Sequence, residues 1–345
     1  MDYKAAGVDI DAGHETVRRI RALARSTFTP GVLSDIGSFG GLFHMAAAGC
    51  RDAVLVASAD GVGTKLKVAF MAGRHGTVGQ DLVNHCVNDI LVQGAAPLFF
   101  LDYLSTGRLS PDVAASIVDG MAKACRENAC ALLGGETAEM PGFYADGEYD
   151  LAGFIVGAVE RDGLIDGKGI VPGDVLIGIP SSGLHTNGYS LARRIVFDQL
   201  GLSVDAHVGE LGRSVGEALL EPHRSYLPLI QPLLPGRQIK GMAHITGGGI
   251  TDNLPRVLPA GAVAEVRLGS WEVPALFRWL QAGGQVPDAD MLRTFNMGIG
   301  LILVASPADV DAVLRDLAAR GGQACVIGEI ATGGGEPVVQ YTGAV

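Results

Sequence analysis

The sequence predicts a mixed α/β protein (α+β type) built from two domains. The chain has 345 residues, enough for two domains of ordinary size with a buried core in each. Short apolar segments typical of strands alternate with segments of helical periodicity, which is the pattern of α/β layers. The stretch 162–173 mixes glycine, proline and charge between two strand candidates. We therefore expect a first domain at 1–165 and a second at 170–345.

Apolar periodicity and breaker residues define the elements of the first domain. Asp9 or Asp11 is a suitable N-cap for the first helix. Gly94 and Pro97 end the second helix, and Pro111 stands at the usual first position of the third. The predicted helices cover 11–24, 77–93 and 110–128. The predicted strands cover 53–57, 98–104, 131–133 and 152–159.

The second domain is predicted to begin with a strand at 175–179. Helices follow near 190–200 and 224–233, and strands and helices then alternate to the end of the chain. The sequence has no repeat at the periods of solenoid proteins and no low-complexity segment. We therefore expect both domains to have ordinary layered folds.

Composition excludes several classes of partner. The formal net charge of −11 disfavours nucleic acid, whose phosphates require a basic face. If the ligands are themselves anionic, a divalent cation is the economical way to reverse the local field. Apolar runs are too short to cross a bilayer, so we expect no membrane partner.

Targeting and cysteine signals indicate the cytoplasm. The first residues lack the basic and then apolar order of a signal peptide. The five cysteines are scattered, without a Cys-x-x-Cys pair, and predict neither a disulfide framework nor a structural zinc site. We interpret them as buried thiols.

Glycine is the compositional outlier. It supplies 50 of 345 residues, about twice the usual share of ~7%. These glycines cluster in short motifs between apolar segments, where glycine permits positive φ and lets the backbone approach a ligand. The motifs are therefore the first place to look for a site.

The run 60–65, Asp-Gly-Val-Gly-Thr-Lys, follows the first predicted strand. An aspartate oxygen suits Mg²⁺, glycine amides can approach phosphate oxygens, and Lys65 can offset their charge. The alternative is a glycine turn with a solvated lysine. The spacing is not that of a P-loop.

A polar stripe runs along the otherwise apolar helix 77–93. Its members recur at helical spacing and are Asp81, Asn84, His85 and Asn88, with Asp89 beside them. Buried polar groups must be paired or must bind a cation, so the stripe predicts a metal or ligand face, unless it simply faces water. Asp89 is the best metal candidate, and His85 is interpreted as a hydrogen-bonded core histidine.

Three further motifs are weaker. The run 134–142 places Glu136 and Glu139 in a predicted loop at a strand end, where ligand sites are common, although exposed glutamates in a turn would look the same. The run 37–41 is either a lid or a phosphate cradle. The run 181–190 precedes a helix and is either an anion site or ordinary capping by Asn187 or Ser190.

Taken together, these segments resemble the phosphoribosylformylglycinamidine cyclo-ligase family, also called aminoimidazole ribonucleotide synthetases. The resemblance spans nearly the whole chain and includes VNDI at 87–90 and HTNGYS at 185–190. The remaining matching segments are 3–13, 60–65, 93–103, 134–142, 244–249 and 293–298.

The resemblance implies an ATP-dependent ligase of purine biosynthesis. The family phosphorylates the formyl amide oxygen of formylglycinamidine ribonucleotide with ATP, and a neighbouring nitrogen then closes the imidazole ring and releases phosphate. The expected ligands are ATP, Mg²⁺ and this small-molecule substrate. The family fold is two α/β domains, and the N-terminal sheets of two subunits join in a homodimer.

The resemblance also assigns roles to individual residues. The expected metal ligands are Asp60, Asp89 and Glu136. The expected nucleotide contacts are Gly37, Phe39, Gly40, Gly41, Gly61, Gly63, Thr64, Lys65, Asn88 and Gly135. The expected substrate contacts are Thr186, Asn187, Ser190, Gly247 and Gly248. The expected catalytic residues are His185, His244 and Lys65.

Some features depart from relatives and leave alternatives open. Ser34, Asp35 and Ser38 stand where many relatives carry glycine. In the wider superfamily a metal-binding aspartate aligns with His244, which favours proton transfer or charge stabilisation over metal binding at this position. The alternatives are a thiamine-monophosphate kinase or selenophosphate synthetase of the same superfamily, and a non-catalytic nucleotide or metal sensor.

Overall fold

A computed structural model describes residues 10–37 and 40–344. The described chain divides into two compact units. The first comprises residues up to Ile90 together with Ala95–Arg161, and the second comprises Leu91–Gly94 and the residues from Asp162 onward. Both units combine helices with mixed sheets, so the α/β prediction is confirmed.

The first unit contains long helices and one sheet. Its helices are α1 (Ile10–Arg25), α2 (Lys65–Ala72), α3 (Gly76–Leu91) and α4 (Pro111–Glu127). Its strands are β1 (Ala53–Gly61), β2 (Ala96–Thr106), β3 (Ala131–Glu139) and β4 (Tyr149–Glu160). The strand order within the described residues is β1-β4-β2-β3, with the β2–β3 pair parallel and the other pairs antiparallel.

Glycines bring α3 and α4 into close contact. A Cβ added to Gly79 would overlap the carbonyl oxygen of Ile117, and one added to Gly120 would overlap the carbonyl oxygen of Gly76. These two helices can pack backbone to backbone only without side chains at the crossing. The close packing fixes α3 against the rest of the unit, and α3 carries the polar stripe.

One row of residues crosses the whole sheet of the first unit. Asp60 in β1 pairs with Gly153 in β4, Gly153 pairs with Asp102 in β2, and Asp102 pairs with Gly135 in β3. Paired residues present their side chains to the same face of a sheet. Leu82 of α3 packs over Gly153, so this row lies on the helix-covered face.

The second unit contains a larger sheet and short helices. Its strands are β5 (Val175–Pro180), β6 (His207–Val208), β7 (Arg213–Ser214), β8 (Ile239–His244), β9 (Ala262–Arg267), β10 (Ile299–Ala305), β11 (Cys325–Thr332) and β12 (Val338–Thr342). Its helices are α5 (Tyr189–Arg193), α6 (Val215–Leu219), α7 (Leu227–Ile230), α8 (Gly249–Asn253), α9 (Ala275–Gly284), α10 (Asp288–Thr294) and α11 (Val310–Ala319).

The main sheet of the second unit has the order β12-β9-β11-β5-β10-β8 over the part of the chain that is described. Only the β12–β9 pair is parallel there. Its core is aliphatic and includes Leu176, Ala264, Ile302 and Ile327. Burial of these side chains on one face of the sheet fixes the register of the strands, since a slip of one residue would expose them.

Several predicted elements differ in extent from the structure, and the strand predicted at 53–57 extends to Gly61 and so includes Asp60. The strand predicted at 131–133 extends to Glu139, because parallel pairing with β2 continues through Gly134 and Gly135. The helix predicted near 224–233 is confined to α7, and a 3-10 helix with an internal proline, Gln231–Gly236, follows it. No helix among the described residues has both the length and the apolar character needed to cross a bilayer.

Candidate active site

An acidic cluster lies where β1 meets α3. The Asp60 carboxylate, near the end of β1, is 2.8 Å from His85 Nε2, and Asp89 Oδ2 is 3.8 Å from the same nitrogen. Ser58 Oγ donates to Asp89 Oδ2 at 3.0 Å. The polar stripe of α3 is buried at Asp81, Asn84, His85 and Asn88. The water-facing alternative for the stripe is therefore wrong, and His85 is a hydrogen-bonded core histidine, as predicted.

Electrostatics in this cluster favour an ionised Asp60 and a protonated His85. Burial works to lower the pKa of His85, but the hydrogen bond with Asp60 and the charges of Asp89 and Asp81 outweigh it and raise that pKa. Burial works to raise the pKa of Asp60, but the bond and charge of His85 and the Gly61 amide lower it on balance. The cluster therefore pairs two carboxylates with one imidazole that readily holds a proton.

The donor set of the cluster suits a magnesium ion. Mg²⁺ prefers carboxylate oxygens and keeps several waters. The Asp60 side chain is 42% exposed and that of Asp89 is 25% exposed, so hydrated ions can reach both. Asp60 and Asp89 therefore fit the metal expected from the sequence.

Lys65 occupies a different environment from the one expected. It is the first residue of α2, after Thr64 at the N-cap and after Gly63 with φ of 67°. Its Nζ donates to Asp81 at 2.8 Å, and neither side chain is exposed. The solvated-lysine alternative is wrong. The charge of Lys65 is balanced inside the protein, which favours a role in holding α2 to α3 over a direct phosphate contact.

A cavity of about 670 Å³ opens beside β2 and β3. Its walls include α1 and the glycine-rich segment before β1. Predicted nucleotide residues on its lining are Gly37, Gly40, Gly41 and Gly135, together with Glu136. Phe39, a further predicted contact, lies outside the described residues. Ligand pockets of small-molecule enzymes typically measure 300–1,000 Å³, so this cavity can hold a nucleotide-sized ligand.

Asp102 is a half-buried aspartate on the lining of this cavity. A Cβ added to Gly135 would overlap Asp102 Oδ1 and lie 2.6 Å from the Asp102 carbonyl oxygen, so glycine is required at that position. Burial raises the pKa of Asp102 to about 7, against a backbone hydrogen bond, and the charge of Glu136 adds to the rise. Asp102 can therefore exchange a proton near neutral pH.

Glu136 is not beside the acidic cluster in this chain. It lies within β3 rather than in the loop expected from the sequence. Glu136 lies in a row of paired residues with Tyr103, Ala152 and Gly61. This row is one residue along from the row that contains Asp60, and side chains of adjacent rows face opposite sides of a sheet. The two edge strands are three strand spacings apart, roughly 14 Å. The structure thus brings Asp60 and Asp89 together but not Glu136.

The second unit contains a cluster of three buried histidines, His185, His223 and His244. His223 Nε2 is 3.0 Å from His244 Nε2. The rings of His185 and His223 stack with centroids 3.9 Å apart and planes at 17°. His244 is the last residue of β8, and the loop before α5 carries His185. This arrangement joins both predicted catalytic histidines through a third.

The backbone of His185 is held in an unusual conformation. Its φ is 61°, in the left-handed region that residues other than glycine rarely adopt. His185 Nε2 accepts a hydrogen bond from the Ser182 amide at 3.2 Å. A Cβ on Gly300 would overlap Tyr226 Oη and lie 2.6 Å from His185 Cε1. Strain of this kind is typical of functional sites, where surrounding contacts hold it.

The other predicted substrate residues lie in two short loops nearby, except Ser190, which lies in the first turn of α5. Asn187 Nδ2 lies 3.5 Å from Thr186 Oγ1, and the N-cap of α5 is Gly188, without a side-chain cap bond. Capping by Asn187 or Ser190 is therefore not what this loop does. Gly248, with φ of 97°, begins α8, and Gly247 lies beside Asn187.

Sequence reasoning missed Asp102 and His223 as site residues. Asp102 carried one signal, a charge inside an apolar strand. His223 carried none, because it is separated from His185 and His244 along the chain and only the fold brings the three together.

Two family models match the chain. The model described as AIR synthase related protein, N-terminal domain, matches residues 45–159. The model described as AIR synthase related protein, C-terminal domain, matches residues 171–340. Together they cover most of both units.

Curated relatives match over nearly their full length. The phosphoribosylformylglycinamidine cyclo-ligase of Trichlorobacter lovleyi is 58% identical over 328 residues, covering 95% of this chain and 94% of the relative. The protein of the same name from Syntrophotalea carbinolica is 54% identical over 341 residues, covering 98% and 97%.

Solved structures share the fold at lower identity. Thiamine-monophosphate kinase from Stenotrophomonas maltophilia superimposes with a TM-score of 0.71 at 22% identity, covering 95% of this chain and 96% of that chain. Hydrogenase maturation protein HypE in complex with ATP gives a TM-score of 0.66 at 20% identity, covering 94% and 91%.

Proposed function

Because this chain belongs to the phosphoribosylformylglycinamidine cyclo-ligase family, we propose that its first unit binds magnesium and ATP and that its second unit holds the reacting end of the substrate. The enzyme is an ATP-dependent ligase of purine biosynthesis, which converts formylglycinamidine ribonucleotide to 5-aminoimidazole ribonucleotide, ADP and phosphate. The observation that carries this activity is 58% identity to a cyclo-ligase across 95% of the chain.

The chemistry requires activation of the amide oxygen and removal of the proton that the attacking nitrogen releases. An amide oxygen is a poor leaving group, and transfer of the γ-phosphoryl group of ATP makes it a good one. The neighbouring nitrogen then attacks the carbon that carries this oxygen. The nitrogen loses a proton, and phosphate departs. The protein must align the two nucleophiles, offset charge on the phosphoryl group and accept that proton.

Asp60 and Asp89 are the proposed magnesium ligands. Their carboxylates converge on one point beside His85, and Ser58 orients Asp89 through a hydrogen bond. When bound, magnesium would supply positive charge to the phosphate oxygens of ATP. The protein's own contribution is a pair of partly exposed carboxylates, one near the end of β1 and one on α3.

The cavity beside β2 and β3 is the proposed nucleotide pocket. Its size and its glycine-rich wall at Gly37, Gly40 and Gly41 support this assignment, since backbone amides without side chains can lie close to a ligand. Asp102 adds a hydrogen-bonding group to the pocket. Gly61, Gly63, Thr64 and Asn88 border the acidic cluster and remain proposed contacts, whereas Lys65 is proposed to act through Asp81.

The histidine cluster is the proposed site of ring closure. His244 ends a strand and is buried, so its ring is oriented by the sheet. We assign to it a hydrogen bond that offsets the negative charge developing on the departing phosphate. The loop residues Thr186 and Asn187, Ser190 of α5, and Gly247 and Gly248 are the proposed contacts to the remainder of the substrate. His185 is proposed to contribute at the same end.

We also propose that the protein is a homodimer and works in the cytoplasm. The sheet face opposite α3 exposes apolar side chains, with Leu55 56%, Phe154 47% and Tyr103 37% exposed. A second copy of the same sheet would cover them, because closed dimers bury such self-complementary patches. Each of the five cysteines is a free thiol, in keeping with a reducing compartment.

Phosphate release from ATP tests the function directly. We expect release only when formylglycinamidine ribonucleotide is present, with formation of the aminoimidazole product in equal amount. Thiamine monophosphate should support no release. Consumption of ATP with thiamine monophosphate would identify a kinase of the same fold, and binding of ATP without turnover on any substrate would identify a sensor.

A further inference from the structure

His223 connects two elements of the proposed ring-closure site. It is fully buried and lies between the loop that carries Thr186 and the end of β8 that carries His244. Its Nδ1 is 3.4 Å from Thr186 Oγ1, and its Nε2 is 3.0 Å from His244 Nε2. Both ring nitrogens of His223 therefore contact side chains of the proposed ring-closure site.

The cluster is arranged for hydrogen bonding rather than for metal coordination. Three histidine nitrogens within a few ångströms could in principle hold an ion. However, the rings of His185 and His223 are stacked nearly parallel. Lone pairs of parallel rings point side by side and do not converge on one ion. The stack instead fixes the plane of the His223 ring.

The hydrogen bond from Asn187 favours one direction for the remaining hydrogen bonds. An amide Nδ2 only donates, so Asn187 gives its hydrogen to Thr186 Oγ1. The Thr186 hydroxyl is then available to donate to His223 Nδ1. A neutral imidazole that accepts on Nδ1 carries its proton on Nε2, and this proton points to His244 Nε2. His244 must then accept on Nε2 and carry its own proton on Nδ1.

We propose that His223 is a positioning residue for ring closure, which fixes the tautomer and the ring orientation of His244. Correct tautomers matter because a histidine in the wrong one presents an acceptor where the departing phosphate needs a donor. The same ring packs against His185 and supports its strained backbone. The inference rests on the proposed role of His244 and adds a residue that contacts no reacting atom.

Two substitutions at His223 separate bonding from packing. His223→Phe keeps a flat ring to stack on His185 but removes both nitrogens. His223→Gln returns a donor close to the position of Nε2. We expect His223→Phe to lower kcat roughly 10- to 100-fold, the usual cost of losing an orienting partner, with little change in KM for ATP. His223→Gln should recover most of kcat. His207→Phe, an exposed histidine in β6, is the matched control and should leave both constants unchanged.

Nitrogen-15 NMR of histidine-labelled protein reads the tautomer itself, independently of turnover. We expect His244 to carry its proton on Nδ1 in the wild type and to lose this preference in His223→Phe. An unchanged His244 tautomer or an unchanged kcat in His223→Phe would overturn the inference. Equal loss of kcat in His223→Gln, together with a large fall in thermal stability, would reduce His223 to a packing residue and overturn it too.

A third variant, His244→Phe, tests the proposed role of His244 separately from the role of His223. His244→Phe should abolish ring closure if His244 donates to the departing phosphate. Full activity in His244→Phe would remove the proposed role of His244. Loss in His244→Phe with full activity in His223→Phe would leave that role standing and remove only the role of His223.

Discussion

Lys65 Nζ donates to the Asp81 carboxylate across 2.8 Å, and both side chains are sealed from solvent. The pair joins the first turn of α2 to the middle of α3. Because Gly63 and Thr64 directly precede Lys65, the pair also fixes the glycine loop that follows Asp60. A buried ion pair thus sets the shape of the loop next to the proposed metal site.

Breaking this pair should destabilise the protein strongly. Lys65→Met leaves the Asp81 charge buried and uncompensated, which typically costs about 3–5 kcal/mol in the free energy of unfolding. Urea denaturation measures the change. The matched control is Lys67→Met, which removes a half-exposed pair with Glu148 and should cost less than ~1 kcal/mol. Equal losses in the two variants would contradict the assignment, and Lys65→Met with Asp81→Leu should recover part of the stability.

Asp60→Asn should separate chemistry from folding. Its carboxylate is partly exposed, so the fold should survive, whereas substrate-dependent phosphate release should fall by roughly 100-fold as charge stabilisation is lost. The magnesium concentration for half-maximal rate should rise. Asp52→Asn, at an exposed ion pair with Arg161, is the control and should change neither quantity. A thermal stability loss that matches the activity loss would instead favour a structural turn.

Neighbouring glycines of β3 should differ in their tolerance to alanine. A Cβ at Gly135 would overlap Asp102 Oδ1, whereas one at Gly134 would meet only Leu101 at 3.7 Å. We expect Gly135→Ala to destabilise the unit by roughly 1–3 kcal/mol and to weaken ATP binding. Gly134→Ala should be nearly neutral. Thermal denaturation and ATP titration check both, and similar behaviour of the two variants would contradict the close approach of Asp102.

Asp102 should make stability depend on pH. Its pKa is raised from an ordinary 3.8 to about 7, so the folded state holds a proton that the unfolded state has released. This contribution is complete below the unfolded pKa and is lost as pH rises through 7. Asp102→Asn should therefore be more stable than the wild type at pH 8, by roughly 2 kcal/mol after allowance for partial exposure.

Thermal denaturation of the wild type and of Asp102→Asn, at pH 8 and at lower pH, measures this difference. The difference should shrink as the pH falls from 8, and below the unfolded pKa of 3.8 the two proteins should unfold at similar temperatures, because Asp102 is then protonated in both states. Asp150→Asn, an exposed aspartate of β4, should show no such pH-dependent gain. A constant difference between wild type and Asp102→Asn across this range would show that Asp102 does not titrate there.

The sequence predicted those parts of the fold that depend on local pattern. Helical periodicity located α3 and its polar stripe, and a short apolar run located β1 with Asp60 near its end. The continuation of β3 through Gly134 and Gly135 was not predictable in this way. Glycine signals a loop locally, and only pairing with β2 makes the segment a strand.

The site was predictable in its parts and not in its assembly. Asp60 and Asp89 were expected to share an ion and do lie together. Lys65 was expected at a phosphate, but the partner that buries it, Asp81, is 16 residues further along the chain. His223 depends on a contact with His244 across 21 residues. Contacts at such separations follow from tertiary packing, which no local pattern encodes.

The four residues Leu91–Gly94 belong to the second unit although they connect two elements of the first. The Gln93 carbonyl there accepts a hydrogen bond from the Ile165 amide at 3.2 Å. Neither unit is therefore one uninterrupted stretch of the gene. A fragment that begins at Asp162 would lack this piece, and a chimaera that exchanges one half with a relative would have to carry it along. Exchange of a whole unit between related proteins therefore requires that the four residues Leu91–Gly94 move together with the second unit.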